Sequence, residues 1–351
     1  MPVRPLPTED LAHVLTHTRE LWAEARGKSF FITGGTGFFG MWLLESFAHI
    51  NDALALGMSA VVLTRDPAAF ALKAPHLESR ADLNLIAGDV RTFTFPAGRF
   101  DYVIHAATEA SAKLNDEAPH EMLDAILGGT RRVLDFAAQC GVKKLLLTSS
   151  GAVYGKQPSE ITHVSEDYLG APDPLLPGSA YGEGKRVSEH MCAVHARQHG
   201  YEAKIARCFA FVGPHLPLDT HFAIGNFIRD AMRGDPIKIG GDGTPMRSYL
   251  YASDLAIWLW TLLFKAPAGL AFNVGSAEDL SIRQLAETVA LATGSSSAVH
   301  VNHRPDAARP VSRYAPAVSL ARSQLDLDTF IPLQAAIVKT IRWHTQSIHT
   351  R

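Results

Sequence analysis

The stretch Ser29-Phe30-Phe31-Ile32-Thr33-Gly34-Gly35-Thr36-Gly37-Phe38-Phe39-Gly40 decides how the rest of the chain is read. A short apolar run ends in a glycine cluster. An apolar helical pattern (Met41, Trp42, Leu43, Leu44, then Phe47) follows at once. This predicts a strand, a tight turn and the start of a helix. Gly34, Gly37 and Gly40 stand at G-x-x-G-x-x-G spacing, a variant of the dinucleotide fingerprint. Such glycines allow positive φ, let a pyrophosphate approach the backbone, and let the helix pack closely on the strand. The same glycines also suit a βα turn that binds nothing, so the rest of the chain has to decide.

Outward from this unit, strand and helix signals alternate. Residues 60–64 form a second strand, ending at Arg65-Asp66-Pro67. Residues 83–86 form a third, ending in Gly88-Asp89-Val90, and residues 102–105 a fourth, followed by Ala106-Ala107-Thr108-Glu109. A helix over residues 119–140 precedes a fifth strand over 144–150; a helix over 180–199 precedes a sixth over 203–209. Short apolar strands separated by helices imply a parallel sheet covered on both faces, with ligands at the carboxyl ends of its strands. Gly34, Arg65, Asp89, Ala107 and Ser150 all lie at such ends. Residues 8–26 read as an amphipathic helix capped by Thr8, with Leu11, Val14, Leu15, Leu21, Trp22 and Ala25 on one face.

From Gly213 onward, glycine and proline punctuate shorter elements. Residues 254–265 read as a helix and residues 270–274 as a strand returning to the first sheet. Ser281 with Gln284 forms a capping box for a helix that stops at Gly294, before the loop Ser295-Ser296-Ser297. The expected organisation is an N-terminal helix over 1–27 and a Rossmann-type doubly wound α/β domain over 28–210, rejoined by 254–275. A smaller substrate-binding lobe takes 211–253 and 276–351. Within a chain of 351 residues and 47% hydrophobic content there is material for two such lobes.

The 33 basic and 35 acidic residues are nearly balanced, so no general attraction to nucleic acid or anionic membrane is expected. Cys140, Cys192 and Cys208 have no zinc-type or C-x-x-C spacing. We expect no metal and a reducing compartment. The N-terminus does not read as a signal peptide, and residues 255–264, the most apolar helix candidate, are too short to span a bilayer. The expectation is a cytoplasmic protein.

Tyr181-Gly182-Glu183-Gly184-Lys185 begins the helix after the fifth strand. Residues four apart share a helix face, so the ammonium can sit near the phenol. A free tyrosine has a pKa near ~10, and a neighbouring cation favours the phenolate as a usable base. Ser150, at the end of the fifth strand, could bond the same substrate oxygen. Tyr-x-x-x-Lys alone is common; its position after a glycine fingerprint and beside a strand ending in serine is the specific feature.

The combination of Thr33-Gly34-x-x-Gly37-x-x-Gly40, Asp89-Val90, His105-Ala106-Ala107, Ser149-Ser150-Gly151-Ala152-Val153-Tyr154-Gly155 and Tyr181-x-x-x-Lys185 resembles the extended short-chain dehydrogenase/reductase family. That family includes nucleotide-sugar epimerases, dehydratases, decarboxylases and reductases. Later segments resemble its substrate lobe and last sheet strand: residues 207–214, Gly241-Asp242-Gly243 with Arg247 and residues 249–254, and Phe272-Asn273-Val274-Gly275. The resemblance implies that Tyr181 is the acid/base, that Lys185 lowers its pKa and holds the nicotinamide ribose, and that Ser150 orients the sugar hydroxyl. It implies a pyrophosphate cradle of Gly34, Gly37 and Gly40 with Phe38 and Phe39, and cofactor contacts from Asp89, Val90, Ala106 and Ala107. Substrate contacts would come from Glu109, Ser150 and Asn226, and from Arg247 and Arg304 on the nucleotide diphosphate. Helices 119–140 and 180–199 resemble those of a four-helix homodimer contact, to which Met122, Ile126, Val133 and Met191 could contribute unless they face the sheet.

Departures from the family pattern sharpen the expected reaction. Sugar 4,6-dehydratases carry an Asp-Glu pair where this chain has Gly151 and Ala152, and the decarboxylases carry a glutamate at the second position. Dehydration is therefore disfavoured unless Glu109 substitutes. Ile126 and Ala210 replace two asparagines usual in the family, which bears on the substrate. The resemblance implies a nucleotide-sugar epimerase working through a transient keto sugar. The alternative is a ketoreductase consuming NADPH; a 4,6-dehydratase or a non-catalytic NADP sensor fits less well. The cofactor is NADP or NAD: at the end of the second strand Arg65 could accept a 2′-phosphate or stack on adenine, and Asp66 could cap the next helix. The balance favours NADP.

Overall fold

The computed structural model describes residues 3–108, 112–220, 222–293, 298–306 and 308–348. Glu109, Gly294 and the loop Ser295-Ser296-Ser297 lie outside the described residues. The chain runs α1 (Thr8–Thr18), β1 (Ser29–Thr33), α2 (Phe38–Leu54), β2 (Ser59–Thr64), α3 (Pro67–Lys73), α4 (Pro75–Glu78), β3 (Leu83–Ala87) and β4 (Tyr102–His105). It continues through α5 (Ala112–Glu117), α6 (Pro119–Cys140), β5 (Lys144–Ser150), α7 (Ala180–His199) and β6 (Glu202–Cys208). Then come β7 (Phe211–Val212), α8 (Ala223–Arg233), β8 (Ile237–Ile239), β9 (Met246–Ser248), β10 (Leu250–Tyr251), α9 (Ala252–Lys265) and β11 (Ala271–Val274). The last part is β12 (Asp279–Ser281), α10 (Ile282–Ala292), β13 (Val299–Val301), β14 (Arg313–Tyr314), α11 (Ser319–Leu325) and α12 (Leu333–Ile348).

Seven strands form one sheet in the order β11-β6-β5-β4-β1-β2-β3. β1 pairs in parallel with β2 on one side and β4 on the other, and β2–β3, β4–β5 and β5–β6 are parallel too. Parallel neighbours need crossover connections, which the helices supply. Alternation along β1 drives the packing. Phe31 lies 5.4 Å from Phe93 and 4.5 Å from Phe136 of α6, whereas Phe30 turns to Phe47 of α2 at 5.3 Å and Tyr102 at 4.8 Å. Both faces of the sheet are thus covered by apolar side chains. This is the Rossmann-type α/β fold that the alternation of elements implies.

The chain forms two compact units. The first comprises Met1–Gly155, Ala171–Cys208 and Ala256–Phe272, the second Lys156–Gly170, Phe209–Leu255 and Asn273–Arg351. The expected domain 28–210 therefore loses Lys156–Gly170 to the second unit. There Val164 bridges to Pro316, and the Gln157 carboxamide accepts from the Ala315 amide at 3.1 Å. Those partners lie more than a hundred residues away, beyond any local pattern. In the second unit β9 pairs antiparallel with β12 and parallel with β14, placing Arg247 opposite Leu280 and Tyr314. The Ser281–Gln284 capping box is present as expected.

The N-terminal amphipathic pattern is one helix only as far as Thr18; Arg19–Ala25 tightens into a 3-10 helix. Val14, Leu15, Leu21, Trp22 and Ala25 are buried, and Trp22 meets Trp260 edge-on at 4.8 Å. Thr8 does not cap α1: the helix begins at Thr8 itself, with Pro7 before it and no side-chain cap. All three cysteines are free and buried. Among the described residues no helix is long and apolar enough to cross a membrane, and no cluster of His, Cys, Asp or Glu could hold a metal.

Candidate active site

The switch in strand order falls between β1 and β4, the place where an open α/β sheet binds ligands. Gly34 ends β1 at φ +74°, and a Cβ there would lie 2.4 Å from Ala106 and 2.6 Å from Ala107. Only glycine allows both that conformation and that approach. A Cβ on Gly40 would lie 2.3 Å from the backbone of Gly34 and Gly35, so this glycine lets α2 close onto the turn. Gly37, by contrast, is exposed and faces open space, with only the Gly34 carbonyl, 3.6 Å away, near a built Cβ. It sits at the N-cap of α2, which has no side-chain cap and no acidic residue in its first turn. Phe38 and Phe39 begin that turn. An uncapped helix start behind an open glycine is suited to a pyrophosphate, so these residues fit a dinucleotide.

Behind the turn runs a buried polar chain. The Ala107 amide donates to Thr33 Oγ1 at 3.2 Å, Thr33 Oγ1 meets His105 Nδ1 at 2.8 Å, and His105 Nε2 meets Thr130 Oγ1 at 3.3 Å. Thr130 in turn bonds Ser188 of α7 at 2.9 Å. Burial pushes the His105 imidazole down to about 3, so it is neutral and serves to tie β1, β4, α6 and α7 together.

At the ends of β2 and β3 the sequence named Arg65, Asp66, Asp89 and Val90. Arg65 is exposed. Asp66 caps α3, its carboxylate accepting from the Ala69 amide at 2.9 Å. Asp89 is held by Arg91 through a fork, Nε to Oδ1 and Nη2 to Oδ2 at 2.9 Å each, and that hydrogen bonding draws its carboxyl down to about 2. Arg91 also donates to Asp124 of α6 at 2.9 Å. Val90 packs on α6 at Gly129, where a Cβ would lie 2.8 Å from it. Sequence reading missed Arg91, although its place two residues after Asp89 was a usable signal.

Tyr181, Ser150 and Lys185 come together as expected, with one correction. Burial pushes the Tyr181 phenol up to about 12, and a hydrogen bond with Ser150 opposes that shift. Lys185 is not among the groups that move it. Its ammonium lies 6.0 Å from the ring centroid and donates instead to Thr108 Oγ1 at 2.5 Å and the Thr148 carbonyl at 2.8 Å. Burial lowers Lys185 to about 8. Thr108 was not singled out from the sequence, since a threonine three residues past a strand carries no signal of its own. Ser150 Oγ also accepts from the Ala152 amide at 3.1 Å, which shapes the short 3-10 turn Gly151–Tyr154. Beside it, Ser149 donates to Glu189 at 2.5 Å; Glu189 pairs with Arg207 at 2.7 Å, and Arg207 donates to Tyr154 Oη at 2.9 Å. Gly151 and Ala152 carry no proton-transfer group.

In the second unit Arg247 is half-buried, and burial works against its charge. It donates to the carbonyls of Met246 at 2.8 Å and Ser312 at 3.4 Å, beside Tyr249 and Tyr314. No carboxylate among the described residues pairs with it. Arg304 is exposed and likewise has no ion-pair partner among them. Asn226 on α8 has its carboxamide engaged, donating to the Thr220 carbonyl at 2.9 Å and accepting from Arg229 at 3.0 Å. Only its second N–H and second oxygen lone pair are left for the expected substrate contact.

Comparison with known proteins follows the same lines. Residues 30–275 match the model of the NAD dependent epimerase/dehydratase family. UDP-glucuronic acid decarboxylase 1 of Danio rerio is 29% identical over 327 residues, 93% of this chain and 75% of that protein. UDP-glucuronic acid decarboxylase 6 of Arabidopsis thaliana is 32% identical over 262 residues, 74% of this chain and 72% of that protein. The crystal structure of UDP-glucose 4-epimerase from Thermotoga maritima, with UDP-glucose, superposes with a TM-score of 0.77 at 21% identity, covering 91% of this chain and 99% of that one.

Proposed function

The chain belongs to the NAD dependent epimerase/dehydratase family, and from that premise we propose that it is a nucleotide-sugar epimerase working through a transient keto sugar. Its cofactor is a nicotinamide dinucleotide. One observation supports the proposal: Ser150, Tyr181 and Lys185 are assembled beside Gly151 and Ala152, so among the described residues the two positions after Ser150 offer no second acid beside Tyr181. When bound, the nicotinamide supplies the two-electron acceptor and donor. Tyr181 Oη, as the phenolate that the positive charge of a bound oxidised nicotinamide would favour against burial, takes the proton of the sugar hydroxyl and later returns it, while Ser150 Oγ holds the same oxygen. Gly34, Gly37 and Gly40, with Phe38 and Phe39, hold the pyrophosphate, and Asp89, Val90, Ala106 and Ala107 border the cofactor. Lys185 is placed to exchange Thr108 for a ribose hydroxyl. Arg247 is the diphosphate ligand of choice, because a half-buried guanidinium without a carboxylate is relieved by an anion. Arg65 and the engagement of Asp66 in a helix cap favour NADP over NAD.

A second reading is decarboxylation of a nucleotide-linked uronic acid, favoured by the similarity to the two decarboxylases. A 4-keto uronic acid is a β-keto acid and can lose carbon dioxide, but C5 must then be reprotonated, and Ala152 stands where the family resemblance implies a glutamate for a decarboxylase. UDP-glucuronic acid separates the readings. Incubated with either dinucleotide, it should give an epimer of unchanged mass with no net cofactor reduction. Loss of carbon dioxide assigns the decarboxylase. Net reduction of the dinucleotide, matched by accumulation of the keto sugar, assigns a ketoreductase run in reverse. UDP-glucose should give no 4-keto-6-deoxy product; its steady formation overturns the proposal. Tyr181→Phe should lower the rate roughly 10²–10⁴-fold while cofactor binding survives. Near-normal turnover in that variant would rule out the mechanism.

A further inference from the structure

We propose that Asn115 is a positioning residue for Tyr181: from α5 it caps the first turn of α7 and sets where the phenol stands. The inference rests on the acid/base role given to Tyr181 above. The first amides of any helix lack acceptors within it. At the start of α7 the N-cap residue, Ser179, makes no side-chain cap bond. The Tyr181 amide instead donates to Asn115 Oδ1 at 3.0 Å, and Asn115 Nδ2 donates to the Gly178 carbonyl at 2.7 Å. One carboxamide, 66 residues away in sequence, thus holds both ends of the turn that carries the phenol. The orientation of the amide is unambiguous, because its two partners are a backbone donor and a backbone acceptor.

Packing reinforces the clamp. Leu114, adjacent to Asn115, packs with Tyr181 against the small cluster of Met122, Ile126 and Ala180. Gly184, one turn further along α7, lets Ile126 approach, since a Cβ there would be 3.1 Å from it. Thr108, on the same β4–α6 connection, accepts from the Lys185 ammonium. That connection therefore grips α7 at both of its chemical positions. The phenol oxygen sits at the far end of its side chain, so a small tilt of the turn displaces it more than the backbone. Displacements of that kind are expensive for proton transfer and cheap for ligand binding.

The test compares Asn115→Ala, Asn115→Asp and Tyr181→Phe. Turnover is read with UDP-glucuronic acid and UDP-glucose, dinucleotide affinity by titration, and amide hydrogen exchange over residues 178–184. In Asn115→Ala we expect kcat to fall about ten- to a hundredfold, with KM and dinucleotide affinity within about twofold, and faster exchange in the first turn of α7. Asn115→Asp keeps the acceptor for the Tyr181 amide but sets an oxygen against the Gly178 carbonyl, so it should recover kcat only in part. Unchanged exchange and unchanged kcat in Asn115→Ala would overturn the inference. So would a rate loss matched by an equal loss of dinucleotide affinity, or one that aspartate does not repair even in part. If Tyr181→Phe itself turns over normally, the proposed function has failed and not the clamp. The exchange measurement needs no substrate, so the clamp is tested even where neither sugar reacts.

Discussion

Lys185 is buried with its ammonium donating to a threonine hydroxyl and a carbonyl, and no carboxylate among the described residues lies within hydrogen-bonding distance. Desolvation brings it from an ordinary 10.5 to about 8. Between those values the unfolded chain keeps a proton that the folded chain has released, so this group makes stability rise with pH across the window. Below pH 8 the cost of burying the charge is present in full; above 10.5 it is gone. Lys185→Met removes the titration. Unfolding free energies of the ligand-free wild type, from urea titrations, should therefore gain on those of the variant as pH rises from 8 to 10, by at most about 3 kcal/mol. A constant difference between the two proteins would contradict the burial argument. The neighbouring phenol behaves in the opposite sense: at about 12 it stays protonated throughout the neutral range in the ligand-free protein, and only Ser150 pulls it down.

At the scale of elements, the end of β2 and the start of α3 divide their tasks by type of side chain. Asp66 caps α3 and Pro67 opens it, the pairing expected of a helix start. A carboxylate committed to a cap is a poor partner for a ribose diol. Arg65, beside it, remains exposed, and its charge contributes to holding Asp89 ionised. Arg65→Ala should weaken NADP binding about tenfold to a hundredfold and leave NAD almost untouched, the loss of one charge-assisted donor of roughly 1.5–3 kcal/mol. Titration of both dinucleotides against both proteins checks this. Equal weakening of the two would reassign Arg65 to stacking on adenine, and a wild-type preference for NAD would remove the case for a 2′-phosphate site.

For the whole molecule, the open question is assembly. Met122, Ile126 and Val133 were candidates for a helix-pair contact, but all are buried within the chain and Ile126 packs on Gly184. The outward face of α7 instead carries Val187 and Val194, 41% and 51% exposed and two turns apart on one stripe. We propose that this face pairs with its copy in a homodimer. Light scattering at micromolar concentration should give twice the chain mass, and Val194→Glu should shift it to one. A monomeric wild type rejects the dimer.

What the sequence alone determined is whatever period and spacing encode. The alternation of apolar strands with helices, the glycines at 34, 37 and 40, and the four-residue step from Tyr181 to Lys185 are local patterns, and local geometry follows from them directly. The burial of the N-terminal stripe and the Ser281 capping box were legible for the same reason. Only the tertiary structure decided which group turns toward which. Lys185 faces Thr108 and Thr148 rather than the phenol, Asn115 caps a helix whose own N-cap residue, Ser179, makes no cap bond, and Lys156–Gly170 joins the second unit through Gln157 and Val164. Each of these is a hydrogen bond that a buried or partly buried polar group makes with whatever partner the packing leaves within reach. That partner is fixed by the fold and lies dozens to more than a hundred residues away, where no period in the sequence can point to it.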